Sequence, residues 1–142
     1  MKRFLILAAA LFVLINFISL GHAAEAVKKH KVVFMVNTAD EKTQQIAINN
    51  IKNLIALYGK ENVEIELVTY GPGMAMIMKQ NEKTVPHLNE LNSANVKFAA
   101  CGNTMTQMKI KKEEIVDFAF VVKSGVAEVI EKQEQGWAYI RP

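Results

Sequence analysis

Cysteine is almost missing from this chain. Of 142 residues, Cys101 alone carries a thiol. A lone cysteine cannot close an intrachain disulfide, so the fold has to rest on its apolar core. It also lacks the resolving partner of dithiol exchange, which argues against a dithiol oxidoreductase. Histidine is scarce too: only His22, His30 and His87 occur. The Gly71-Pro72-Gly73 stretch lacks the third glycine and the acidic partner of a dinucleotide fingerprint, so it reads as a tight turn rather than a phosphate cradle. No cluster has metal-ligand spacing, and nothing calls for a cofactor. No low-complexity linker divides the chain into domains.

The first residues carry a different message. Lys2 and Arg3 are followed by an apolar run from Phe4 to Ile18, and then by small residues around Ala23 and Ala24. This is the three-part pattern of a secretory signal peptide, with cleavage expected after Ala23 or Ala24. The apolar run is shorter than the ~20 residues of a membrane span. Residues 1–23 are therefore read as the signal and residues 24–142 as one domain, periplasmic or secreted, with no membrane contact after cleavage. Without Lys2 and Arg3, 15 basic residues face 14 acidic ones, a net charge of +1. That leaves no electrostatic footprint for nucleic acid.

Past the leader the chain alternates between two periods. Val32-Val33-Phe34-Met35-Val36 is a continuous apolar run, as in a strand covered on both faces. Ala47, Ile48, Ile51, Leu54, Ile55 and Tyr58 follow at helical steps, with Gly59 as terminator. Val63 to Tyr70 is the next strand, and Glu64 and Glu66 suggest a wet face for its first half. Met74 to Gln80 and the stretch after Thr84 read as helices, the latter with Pro86 in its first turn. Val96 to Ala100 is a third strand and Phe118 to Val122 a fourth. A helix from Ser124 or Gly125 is expected to turn Val126, Val129 and Ile130 inward, and Trp137 to Ile140 closes as a last strand. Strand and helix alternate four times before that final strand, which predicts an α/β fold with a mostly parallel sheet between two helical layers.

Cys101 stands where the third strand ends and a helix begins. That is the sheet edge on which open α/β folds place their chemistry. A helix start favours thiolate, the reactive form. The alternative is a small buried hydrophobe. As a working thiol it suits acyl transfer or sulfur transfer through a persulfide. Acyl transfer wants a histidine base, and neither His30 nor His87 is well placed for one. A second alternative is a soft-metal site, with Cys101 joined by Met74, Met78 or Met105 around Cu(I). Against it, methionines at helical spacing commonly pack a core. Gly71, Gly73, Gly102, Asn103 and Thr104 are the loop residues that stand as ligand-binding candidates beside Cys101.

The stretch Val96 to Met105 around Cys101-Gly102-Asn103-Thr104, the Tyr70-Gly71-Pro72-Gly73 turn and the ending Gly125 to Pro142, with Glu134-Gln135-Gly136-Trp137-Ala138-Tyr139-Ile140-Arg141-Pro142, together resemble the DsrE/DsrF-like family. The resemblance spans Lys31 to Pro142. It implies a three-layer α/β/α sandwich with a five-stranded sheet, assembled as a homo-oligomer, a trimer or hexamer. In members that handle sulfur, including TusD-type relay subunits, a cysteine in this loop carries a persulfide, and Cys101 matches its position. Sulfur donor and acceptor proteins are the partners this implies. The signal peptide is a departure, since the sulfur-relay members are intracellular.

Overall fold

A computed structural model describes residues 29–142; the signal-peptide reading falls outside them. Five strands form one sheet: β1 (His30–Val36), β2 (Val63–Thr69), β3 (Lys97–Cys101), β4 (Phe120–Val122) and β5 (Ala138–Ile140). Every pairing is parallel, in the order β4-β3-β2-β1-β5. Phe34 pairs in register with Leu67 on one side and Ile140 on the other.

The order explains the layers. From β1 to β4 the chain steps in one direction across the sheet, then returns past β1 to reach β5. Right-handed crossovers put connections of opposite direction on opposite faces. α1 (Glu41–Tyr58) and α2 (Val85–Ser93) therefore share one face, while α4 (Gly125–Glu134) covers the other alone. α3 (Gly102–Met108) follows β3 and turns Met105 into the α1 and α2 side. The main core lies there, with Phe34, Ile48, Ile51, Leu67, Leu88 and Phe98 fully buried. The α4 side has a smaller core of Val33, Met35, Val68, Ala99, Val129 and Trp137.

Local signals set the elements. Asp40 caps α1 by accepting from the Thr43 amide at 2.8 Å. Gly59, at φ +79°, ends it. Between β2 and α2 the expected helix from Met74 is replaced by a 3-10 segment, Gly71–Ile77. Gly73 lies hard under the end of β1, where a Cβ would meet the Val36 carbonyl oxygen at 2.1 Å. Pro72 has no amide to donate, and Met74 and Met76 go straight into the core.

Three expectations about burial are corrected. Val126 and Ile130 are half exposed, and only Val129 of that trio points inward, because a single helix covers this face. β4 is shorter than the apolar run suggests, and Phe120 and Val121 are exposed at the sheet edge. Glu66 is fully buried rather than wet. Lys132 of α4 reaches back over the sheet, with Nζ 2.8 Å from a Glu66 carboxylate oxygen and 3.5 Å from Glu128, and lies over the Trp137 ring. No helix among the described residues is long and apolar enough to cross a membrane.

Candidate functional site

The connection after β3 leaves toward the main-core face, and the one after β4 leaves toward the α4 face. Neighbouring strands whose connections part in this way open a crevice at their C-terminal ends, the usual ligand position in open α/β sheets. Cys101, the last residue of β3, sits there. It precedes the first turn of α3, and the start of α4 packs against it from the neighbouring loop. A Cβ placed on Gly125 would lie 3.2 Å from the Cys101 Cβ and 3.1 Å from the Tyr70 Cβ. A glycine at the head of α4 is thus what lets two helix N-termini converge on one thiol.

The convergence sets the chemistry. Cys101 is 5% exposed. Burial alone pushes a thiol up, because the anion loses its water. Here the Thr104 hydroxyl and the amides of Gly125, Thr104 and Asn103 more than offset that, and the thiol lies below its ordinary pKa. The amides among them belong to the first turns of α3 and α4, where N–H groups have no partner within the helix. The Gly125 amide stands at the first position of α4. The Asn103 amide is shared with the Lys123 carbonyl at 3.2 Å. Thr104 is itself held: its hydroxyl oxygen accepts from the Gly71 amide at 2.9 Å, leaving its proton free to point at sulfur. Such a site keeps a buried thiol ionisable with no histidine base.

Of the sequence candidates, Asn103 and Thr104 act on the thiol directly, and Gly71 acts through Thr104. Gly102 packs tightly under β4, where a Cβ would meet the Val122 carbonyl oxygen at 2.9 Å. Gly73 serves the packing under β1 and takes no part at the sulfur. Gly125 and Tyr70 were not legible as site residues, since nothing local marks them. The signal available was indirect: a helix beginning after β4 on the edge where β3 ends. His87 stays on the outer surface of α2, 3.3 Å from the Lys52 ammonium and beside Glu90, and His30 stacks on Tyr58 at the start of β1. The methionines do not gather around sulfur. Met74 and Met105 belong to the main core, and the Thr69 hydroxyl donates to the Met74 sulfur at 3.4 Å. Among the described residues no group of three or more His, Cys, Asp or Glu side chains could hold a metal ion.

Residues 30–142 match the DsrE/DsrF-like family. The chain belongs to the DsrE/DsrF-like family. A protein of unknown function from Methanobacterium thermoautotrophicum, MTH1491, is 34% identical, with a TM-score of 0.76, over 80% of this chain and all of that one. Two more distant structures share the fold. The ychN protein from E. coli is 16% identical with a TM-score of 0.62, over 80% of this chain and 99% of its own. BT1422 from Bacteroides thetaiotaomicron, a conserved protein of unknown function, is 13% identical with a TM-score of 0.58, over 85% of this chain and all of its own. No curated protein matches the chain. For the DsrE-like chain, then, the comparisons give family and fold, and the site must carry the functional argument.

Proposed function

We propose that this DsrE-like protein is an exported single-cysteine sulfur carrier, in which Cys101 accepts a sulfane sulfur and passes it on as a persulfide. The observation that carries the reading is the thiol itself. It is shielded from solvent, its anion is stabilised by one hydroxyl and three amides, and it has no second cysteine to form a disulfide. The Cys101 thiolate attacks the outer sulfur of a donor persulfide, R–S–SH. A new S–S bond forms at Cys101, the donor S–S bond breaks, and R–S⁻ leaves with the electron pair and takes up a proton. Discharge is the same step run toward an acceptor thiolate, with the Cys101 thiolate as leaving group. In both directions negative charge rests on the Cys101 sulfur, where the amides stand. Shielding suits a persulfide outside the cytosol, because exposed thiolates are the ones oxidised.

Intact-mass measurement after incubation with a persulfide donor tests this. One added sulfur on the wild type and none on Cys101→Ser is the expected result. No addition, or equal addition to both, would sink the proposal. The alternative of a Cu(I) site is less favoured by the burial of Met74 and Met105 in the main core. A Cu(I) affinity that falls with both Cys101→Ser and Met105→Leu would revive it.

A further inference from the structure

A groove of about 270 Å³ runs beside the thiol, between α4 and the C-terminal ends of β1, β2 and β5. Buried Met35 and Val129 lie at its base, Val126 and Ile130 line it from the helix, and Tyr70 and Tyr139 from the sheet. Among the described residues no carboxylate, ammonium or guanidinium is in its lining, though the Arg141 guanidinium acts on Tyr139 from outside it, and Gln133 supplies the one amide. Burial and the neighbouring Tyr70 push the Tyr139 phenol up, so that group also stays neutral. Val126 and Ile130 are 51% and 49% exposed, leaving apolar surface against water, a cost that an apolar occupant would relieve. The groove borders the thiol site, with Tyr70 between them. Tyr70, one of its walls, and Cys101 both pack at the head of α4, where a Cβ on Gly125 would lie 3.1 Å from Tyr70 and 3.2 Å from the Cys101 Cβ.

We infer that this groove holds the organic group of the molecule that exchanges sulfur with Cys101, and that it takes an uncharged aliphatic or aromatic group rather than an anion such as thiosulfate or glutathione. The inference rests on the sulfur-carrier reading of Cys101 and adds the substrate class. The lining decides it. A charged group entering this mostly apolar groove gives up hydration with no ion-pair partner in its lining, whereas a ring or alkyl chain releases water from Val126, Ile130 and both tyrosines. The donor is then an organic persulfide with its apolar body along α4 and its outer sulfur past Tyr70.

Two probes separate this inference from the reading beneath it. Benzyl alcohol, which cannot react, is titrated onto Cys101→Ser while the methyl NMR signals of Val126 and Ile130 are followed. Saturable shifts confined to the groove are expected, with none from glutathione. Absent or scattered shifts overturn the inference. Benzyl persulfide and glutathione persulfide are then compared for the rate at which they load wild-type Cys101, by intact mass. A preference for benzyl of about tenfold, equivalent to about 1.4 kcal/mol, is expected. Ile130→Glu should erase it by slowing the benzyl donor. Equal rates, or a preference that survives Ile130→Glu, overturn the inference. Benzyl alcohol binding with no loading from either donor would overturn the carrier reading, and with it the assigned substrate class. A smaller sedimenting species for Ile130→Glu than for wild type would assign the groove to a contact between subunits and overturn it.

Discussion

At the scale of single residues, Thr104 is the side chain on which the thiol most depends. Its hydroxyl joins two loops, accepting from the Gly71 amide and facing the Cys101 sulfur. Thr104→Val keeps the shape and removes both roles. A hydrogen bond to a charged group contributes about 1.5–3 kcal/mol, so losing it should raise the thiol pKa clearly. The pH dependence of Cys101 alkylation reads this directly, and Thr104→Ser should restore most of it. An unmoved profile in Thr104→Val would show that the amides alone hold the anion. The sign carries over to stability. With the folded-state thiol pKa lowered, the contribution is present above the ordinary thiol pKa and is lost as pH falls through the lowered value. Wild type should therefore gain on Cys101→Ser as pH rises, and gain less in the Thr104→Val background.

At the scale of elements, α4 is held to the sheet by a thin core and one buried ion pair. Burial pushes the Glu66 carboxyl up, against the pull of Lys132 toward the ionised form, and Glu128 adds a like charge. Lys132→Met would leave an uncompensated buried charge, a loss of about 3–5 kcal/mol at neutral pH. A raised folded-state carboxyl pKa means stability is present below the unfolded value and lost as pH rises, so this variant should recover on acidification. Lys132→Met with Glu66→Leu should stand close to wild type, since a buried pair is often replaceable by apolar groups. Urea midpoints at neutral and mildly acid pH check all three, and a small, pH-independent loss in Lys132→Met would contradict the account. The same pair shows what the sequence conceals. The alternation of strand and helix was legible because continuous apolar runs such as Val32 to Val36 and helical steps such as Ile48, Ile51 and Ile55 are local patterns. Glu66 looked solvated because its partner, Lys132, lies far along the chain in α4. Val126 and Ile130 looked internal because periodicity marks an apolar face without saying whether anything covers it. Cys101 was legible from its place between strand and helix, while Gly125 and Tyr70 reach it only through the fold.

At the scale of the whole molecule, the thiol lies beside an unpaired sheet edge. β4 is the outermost strand on that side, and Phe120 and Val121 are exposed along it. A bare apolar edge next to a working site invites another chain. The family resemblance implies a homo-oligomer; we propose that copies of this protein associate at this edge and that the neighbour roofs Cys101. The position of Gly102 ties edge to site: a Cβ there would lie 3.4 Å from a Val121 methyl and 2.9 Å from the Val122 carbonyl oxygen. Covering β4 therefore limits access to the residue that follows Cys101. Sedimentation should give a multiple of the monomer mass for the wild type and a smaller species for Phe120→Asp with Val121→Asp. In that variant Cys101 should react faster with a bulky thiol reagent and with peroxide, because the thiolate persists while its cover is gone. A wild type that sediments as a monomer would remove the roof. Unchanged reactivity in a dissociated variant would show instead that shielding of Cys101 is complete within one chain, supplied by Tyr70, Gly125 and the first turn of α3.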